Sequence, residues 1–325
     1  MSVGRRSGAQ HDAFVAAAAP RTGDGPQPPT DPIHGDHAVR AVAGDGRILA
    51  LAAVSTDLCE QARRRHGLWP TAAAAVGRVL TAAALLALPL KEGGSLTVTV
   101  SGDGPIGGIV ADARPDGRVR GYALRPKVDL PPRPDGKLDV GGAVGARGLL
   151  RLARDLGLGQ PYTGSSPLVS GEIADDFTAY LLRSEQVPSL VALGVLVGRG
   201  STVQAAGGLV VQLLPDAPSD AAERIGANVD ALGAISRAVE GGRTAEEIVA
   251  DALAGYAPRT LERRGLRFRC TCSRRRLASV LASLPPAELR AMREEDGQAE
   301  LVCRFCARRY LFRAAELLAL ETRAR

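Results

Sequence analysis

Alternating apolar and polar residues run through much of the first two thirds of the chain. Apolar residues alternate over 38–42 and 47–52 around a glycine-rich turn at 44–46, which predicts a hairpin. Further strands are predicted over 95–100, 108–113, 118–124, 149–156, 191–198 and 207–214. Helical spacing of apolar residues predicts a helix capped by Thr56, a second over 70–88, a third over 170–186 with Ser170 as the N-cap, and helical structure through 219–257.

This order of elements predicts an α+β fold with an appendage. Residues 1–35 are rich in glycine, proline and polar groups without apolar periodicity, so we expect a disordered leader. A mixed sheet-and-helix body is expected over 36–216, a helical linker over 217–264 and a small zinc-binding domain over 265–325. The linker is rich in alanine and poor in large side chains, so its helices should be marginally stable on their own.

The stretch 72–90 is long and apolar enough to raise the question of a membrane span. It carries Arg78 near its middle, which costs roughly 2.5–3.5 kcal/mol at a bilayer centre, and much of the rest is weakly apolar alanine. A buried core helix is therefore predicted. The N-terminal apolar run 13–19 is short, lacks leucine and has no persuasive cleavage site, so we expect no export signal and a cytoplasmic protein without a membrane partner.

Two patterns that suggest enzyme chemistry fail on their context. Residues 102–107 match Gly-x-Gly-x-x-Gly, but a dinucleotide fingerprint needs a following helix, and here a predicted strand follows Pro105. Asp175 and Asp176 are adjacent on a predicted helix and face apart, which argues against a paired acid/base site. Neither pattern predicts an enzyme.

Four of the five cysteines lie in the last 56 residues, as Cys270-x-Cys272 and Cys303-x-x-Cys306 with thirty residues between the pairs. Two close pairs separated by a loop are what a closed tetrahedral four-thiolate zinc site needs. Zinc is favoured over an iron–sulfur cluster because it suits an all-sulfur tetrahedral set. We expect one zinc ion per chain in the reduced protein, whereas Cys59 stands apart and is predicted to be a buried helix residue.

Charge supports this prediction. The chain carries a net +6, and from Arg259 onwards 16 arginines face 8 acidic residues. Four thiolates with one Zn²⁺ carry a formal −2, which nearby cations partly neutralise. Six arginines flank the cysteines in sequence: Arg269, Arg274, Arg275, Arg276, Arg304 and Arg308.

Spacing alone favours a static zinc ribbon, because most four-cysteine zinc sites are structural. Within each pair, however, the two sulfurs can also form a disulfide after oxidation. We predict the disulfides Cys270–Cys272 and Cys303–Cys306, since pairs across the thirty-residue loop carry a larger closure entropy. Structural zinc contributes roughly 10–16 kcal/mol in small finger peptides, so its loss should unfold the segment and could release the linker.

The chain resembles the redox-regulated thirty-three-kilodalton heat-shock chaperones. The resemblance covers most of the chain from about residue 37, and the cysteine pairs with their spacing are its most specific part. The other matching segments are 102–107, 162–164, 169–177, 181–186, 207–215 and 268–272. The long leader and Cys59 depart from the family pattern.

This resemblance implies a redox-regulated holdase that is inactive when reduced and zinc-bound. Oxidation would form the disulfides, eject zinc, unfold the tail and linker, and expose surface that binds unfolding client proteins. The resemblance also implies a homodimer as the active form. Two other hypotheses stay open: a zinc-ribbon nucleic-acid binder, supported by the basic tail, and a thiol oxidoreductase, for which no thioredoxin-like strand–Cys-x-x-Cys–helix context is found.

Overall fold

A computed structural model describes residues 35–157 and 159–323. The predicted leader lies outside this range except for Gly35. Two large sheets and a two-stranded sheet form the fold, and the α+β prediction is confirmed. The first sheet has the order β10-β1-β2-β9-β8, with β1 His37–Ala43, β2 Ile48–Val54, β8 Ser189–Val197, β9 Val203–Leu213 and β10 Arg259–Gly265.

The second sheet has the order β11-β5-β4-β3-β6-β7. Its strands are β3 Ser95–Gly102, β4 Ile109–Ala113, β5 Arg118–Ala123, β6 Gly148–Asp155, β7 Tyr162–Pro167 and β11 Arg267–Phe268. The hairpin β1–β2 and the strand–turn–strand β3–β4 are confirmed, so the glycines at 102–107 belong to a turn. The body also contains α1 Thr56–His66, α2 Pro70–Ala87, α3 Val140–Val144 and α4 Ala174–Ser184.

Helix α2 is the buried core helix that the sequence predicts. By length and composition it is the one helix among the described residues that could cross a membrane, but 89% of that window is buried inside the fold. It packs against strands of both sheets. The approach is close: a Cβ on Gly121 of β5 would lie 2.8 Å from Leu80, and one on Gly208 of β9 would lie 2.9 Å from Thr81. Small residues at these contacts therefore let one helix pack closely against both sheets.

The prediction of Ser170 as the N-cap of the fourth helix is wrong. Helix α4 begins at Ala174, after Ile173 adopts a left-handed backbone with φ of 71°. The buried Asp176 carboxylate accepts backbone N–H groups from Val169, Gly171 and Ile173, and it also accepts one from Ser170. A carboxylate offers about four acceptor sites whereas a hydroxyl offers two, so Asp176 can satisfy the four N–H groups that a Ser170 cap could not, and the loop winds around it.

The linker region is helical only up to Ala252. Its helices are α5 Ala221–Leu232, α6 Ile235–Glu240 and α7 Ala245–Ala252, and they cover the outer face of the first sheet. The last part of the predicted linker is instead the strand β10, which pairs antiparallel with β1. The sequence of β10, with four charged residues in seven, hides this strand from pattern analysis.

Residues beyond β11 form the C-terminal segment. It contains α8 Arg274–Leu281, α9 Pro286–Glu295, the hairpin β12 Gln298–Val302 with β13 Arg309–Arg313, and α10 Ala314–Arg323. Its own core has six buried residues: Leu281, Leu289, Ala299, Tyr310, Phe312 and Leu317. So small a core gives the segment little stability without a further cross-link.

Candidate metal centre

The four predicted cysteine ligands lie together. Their sulfurs are all within 4.8 Å of one another, and Cys59 is not among them. The Sγ atoms of Cys270 and Cys303 are 3.7 Å apart, and those of Cys272 and Cys306 are 3.4 Å apart. Zinc–sulfur bonds of about 2.3 Å in a regular tetrahedron require sulfur separations of about 3.8 Å. The donor set and its spacing therefore fit a tetrahedral zinc ion.

Local backbone geometry shapes the second cysteine pair. The N–H groups of Cys306 and Ala307 both donate to the Cys303 carbonyl, at 3.3 and 2.8 Å, and Ala307 takes a positive φ of 56°. The Cys303 N–H donates to the Arg308 carbonyl at 3.0 Å, which closes the loop between β12 and β13. This tight turn holds both sulfurs on one side of the hairpin end.

The first pair lies between the second sheet and α8. Strand β11 pairs parallel with β5, and the Arg269 N–H donates to the Val119 carbonyl at 2.9 Å, just before Cys270. After Cys272, the Ser273 hydroxyl accepts the Arg276 N–H and begins α8. The body thus fixes one side of the cysteine pair and a capped helix fixes the other.

Two side chains outside the cysteine motifs contact the sulfurs. The Tyr310 hydroxyl lies 3.2 Å from Cys272 Sγ, and the Arg120 guanidinium donates to Cys270 Sγ at 3.6 Å. Such second contacts orient metal ligands and stabilise their negative charge. Sequence analysis missed Arg120, because β5 is distant in sequence and nothing in its alternation indicates what its exposed face meets.

Arg120 contacts both cysteine motifs from the body. Its guanidinium pairs with the Asp112 carboxylate through Nε at 2.9 Å, lies 3.4 Å from Thr271 Oγ1, and sits 4.1 Å from the centroid of the Phe305 ring. Phe305 lies between Cys303 and Cys306, and its ring also meets Tyr122 edge-on at 5.3 Å. One arginine therefore joins the sheet to both halves of the metal centre.

A histidine completes this contact with the body. His66, the last residue of α1, donates from Nε2 to the Phe305 carbonyl at 3.2 Å. Burial lowers the pKa of His66, and its hydrogen bonds to the backbone of Phe305 and Gly121 oppose that shift.

The thiols differ in their electrostatic surroundings. Burial acts to raise the pKa of Cys270, but hydrogen bonds from the Cys272 backbone N–H and from Arg120 outweigh it and bring that pKa to about 7. Burial raises the pKa of Cys303 and of Cys306 above the usual thiol value. Burial also raises the pKa of Cys59 to about 12, and this residue is 2% exposed, as its prediction as a buried helix residue requires.

The flanking arginines play different parts. Arg274 pairs with Glu316 at 2.7 Å and stacks 4.5 Å from the Phe312 ring, so it stabilises the C-terminal segment itself. Arg276 donates to Thr271 Oγ1 at 3.4 Å, and Arg304 is exposed between the second pair of cysteines. The arginine that donates a hydrogen bond to a ligand sulfur is Arg120, which lies in the body and not in the C-terminal segment.

Comparisons with known proteins address the family. The family model described as Hsp33 protein matches residues 36–313. The chain belongs to the Hsp33 family. It is 51% identical over 287 residues to the 33 kDa chaperonin of Symbiobacterium thermophilum, covering 88% of this chain and 97% of that protein. It is 46% identical over 286 residues to the 33 kDa chaperonin of Bacillus subtilis, covering 88% and 98%.

A solved Hsp33 structure agrees with the fold. The crystal structure of the 33 kDa chaperonin from Thermotoga maritima, a heat shock protein 33 homolog, has a TM-score of 0.83 and 34% identity, and covers 89% of this chain and 98% of that one. The resemblance drawn from the cysteine pairs is thereby confirmed at the level of the family. Hsp33 members are chaperones rather than enzymes, as the sequence predicts for this chain.

Proposed function

We propose that this chain is a redox-switched holdase whose switch is the four-cysteine zinc centre. The observation that carries the proposal is the position of that centre. It closes a segment with a core of six buried residues and, through Arg120 and Phe305, fastens that segment to the body. A zinc cross-link supplies much of the stability of so small a segment, so the loss of zinc should change the segment's structure.

The proposed ligands are Cys270, Cys272, Cys303 and Cys306. When bound, zinc supplies the tetrahedral cross-link and neutralises part of the thiolate charge. Oxidation by hypochlorous acid removes two electrons from each pair: two thiolates, one HOCl and one H⁺ give a disulfide, chloride and water. Disulfide sulfurs are poor ligands, so the ion leaves and the segment loses its cross-link.

The predicted pairing of neighbours is not favoured by distance. Separations of 3.7 and 3.4 Å join Cys270 to Cys303 and Cys272 to Cys306, across the loop, within a set whose four sulfurs all lie within 4.8 Å of one another. Our proposal of Cys270–Cys272 and Cys303–Cys306 rests on chain entropy once the segment has begun to open, because only neighbours then remain close.

The linker helices define the proposed client surface. On the first sheet they cover a row of buried apolar side chains: Val39, Ala41, Ile48, Ala50, Ala52, Leu209 and Val211. The linker contributes the small residues Ala221, Ala245 and Ala252 to this layer, and its larger buried anchors are Ile225, Ile235, Ile248, Val249 and Leu253. Its release would expose a contiguous apolar face, which is the kind of surface that binds unfolding proteins.

The remaining features of the proposal follow the family resemblance. We propose that the oxidised form is a homodimer and that the protein works in the reducing cytoplasm. The nucleic-acid alternative is less well supported, because Phe268, Tyr310 and Phe312 are buried and the Phe305 ring packs edge-on against Tyr122. Bases would find no free aromatic ring among these four.

The experiment measures zinc content and aggregation suppression on the same samples. Reduced, zinc-loaded protein should hold one zinc per chain and leave a heat-unfolding reporter enzyme to scatter light. Oxidised protein should have lost its zinc and should suppress the scattering, and thiol reductant with added zinc should reverse both changes. Equal suppression before and after oxidation would leave a chaperone without the proposed switch, and none in either state would refute the holdase.

A further inference from the structure

Strand β10 is an unusual edge strand. It pairs with β1 from His37 to Val42, yet none of its seven residues belongs to an apolar core of the described part of the chain. Four of the seven are charged: Arg259, Glu262, Arg263 and Arg264. Natural proteins use charged strands of this kind to cover a sheet edge that would otherwise pair with other chains.

A side-chain contact from Arg263 connects β10 to the linker. Arg263 Nε lies 2.9 Å from the Glu246 carboxylate on α7, and the same carboxylate meets His37 Nε2 at 3.0 Å. The backbone continues directly into β11 and the metal centre, with the Leu266 N–H donating to the Asp36 carbonyl. Both neighbours of β10 in the chain, the linker and the cysteine segment, are elements that the proposed activation releases.

Strand β1, which pairs with β10 in the sheet, is apolar where β10 is charged. Ala38, Val39, Ala41 and Ala43 of β1 are all buried, and β1 is fixed to the body on its other side by β2. Without β10, the outer edge of β1 would present unpaired N–H and C=O groups beside small apolar side chains. Such an edge is a template for an added strand.

We propose that the oxidised protein binds clients by strand addition at the β1 edge, where an extended client segment replaces β10. The seated β10 demonstrates that an antiparallel backbone fits there over six residue pairs, with one irregularity between Arg40 and Ala41 where Leu261 has no partner in the register. The preferred partner is an uncharged segment with apolar side chains at alternate positions, since these would continue the apolar row of Val39 and Ala41. A second copy of this chain would bring only another charged β10, with no apolar gain.

This inference rests on the proposed holdase function and adds its mode of binding. The test uses the full-length protein, reduced or oxidised, and two fluorescent capped peptides of about eight residues with alternating valine and threonine. The second peptide is N-methylated along its central residues, which keeps the side chains and removes the backbone donors. Anisotropy should give binding to oxidised protein about tenfold or more weaker for the methylated peptide, because several backbone hydrogen bonds are lost.

Hydrogen exchange locates the site at which the peptide binds. Amides of β1 should lose protection on oxidation and regain it when the unmodified peptide is added. Arg263→Ala removes the contact with the linker and should lower the oxidant dose at which the peptide binds. Arg264→Ala is the matched control, because its partner Glu262 lies within β10 itself, and it should leave the dose unchanged.

Three results would overturn the inference. If oxidised protein suppresses client aggregation but binds both peptides equally, clients bind by apolar contact alone and the holdase proposal stands. If oxidised protein neither suppresses aggregation nor binds peptide, both proposals fail. If β1 stays protected after oxidation without peptide, the edge is filled by β10 or by a second copy, and a concentration series separates those two cases.

Discussion

Replacing Arg120 with Gln should weaken the attachment of the metal centre to the body. The guanidinium joins Asp112 on β4 to Cys270 and to the Phe305 ring, so it contacts both cysteine motifs at once. Glutamine keeps much of the length and polarity but removes the charge. The thiolate would lose a charged donor, and Phe305 would lose its cation.

The magnitude follows from these contacts. A hydrogen bond from a charged group contributes about 1.5–3 kcal/mol, and a cation over an aromatic face about 0.5–2 kcal/mol. Together, a loss of about 2–5 kcal/mol is expected, which increases the population of the detached segment by about 30-fold to about 5,000-fold. Asp112, with a side chain 12% exposed, also loses its partner, so the Asp112→Asn, Arg120→Gln double variant is needed to separate that effect.

The assay is the rate of zinc transfer to a chromophoric chelator at a fixed, limiting dose of oxidant. Hydrogen exchange at 266–269 reports detachment of β11 from β5 in the same samples. Arg304→Gln is the matched control, because Arg304 carries the same charge beside the second cysteine pair but is exposed. The control should behave nearly as wild type, whereas Arg120→Gln should release zinc faster and lose protection at β11.

The reasoning is refuted if Arg120→Gln and Arg304→Gln release zinc at the same rate. Equal rates would mean that only the general positive charge near the sulfurs matters. A faster rate without loss of protection at β11 would mean that Arg120 stabilises the thiolate but does not fasten the segment.

Three further outcomes are expected. Cys303→Ser should abolish stoichiometric zinc binding, as measured by metal analysis of the reduced protein, and full retention of zinc would contradict the ligand assignment. Cys59→Ser should keep zinc and oxidative activation, since this thiol is buried and has a pKa of about 12; a variant that cannot activate would give Cys59 a part in the switch. Burial alone would lower the pKa of His37, but hydrogen bonds to Glu246 and the Gly35 carbonyl raise it. The stabilisation of α7 by protonated His37 is therefore complete below about pH 6.5, and it is lost as the pH rises through the higher pKa of the folded state. Exchange in α7 should therefore show a pH-dependent part that His37→Gln lacks, and identical pH profiles would exclude this contribution.

The sequence predicts the body of this protein well, because its elements follow simple patterns. Alternation identifies β1, β2, β3 and β4, and a long run of mostly apolar, alanine-rich residues around Arg78 identifies the buried helix α2. These residues lie in a core where burial decides the structure, so the apolar pattern carries the information.

The failures occur where backbone pairing or a buried polar group decides the structure. Strand β10 is charged and packs into no core, so only its register with β1 makes it a strand. The start of α4 depends on Asp176, whose role requires a loop that folds back over it. Neither feature has an apolar period from which it could be inferred.

The candidate metal centre divides in the same way. Its four ligands are predicted because their spacing is itself the signal. Arg120, His66 and Tyr122 could not be predicted, since they belong to the body and meet the centre only through the pairing of β11 with β5. Residues that support a site from a distant part of the chain leave no local trace.

Because the short sulfur separations run across the loop, the product of oxidation depends on two competing rates, that of disulfide formation and that of segment opening. While the segment is closed, Cys270 lies 3.7 Å from Cys303 and Cys272 lies 3.4 Å from Cys306, so an oxidant that acts faster than the segment opens would trap disulfides across the loop. Such a bond would staple the thirty-residue loop shut and replace zinc as a cross-link. A slower oxidant would leave time for opening, after which neighbours pair and the tail stays free. The rate of oxidation, as well as the strength of the oxidant, would then decide whether the protein activates or is trapped in a closed, zinc-free and inactive form.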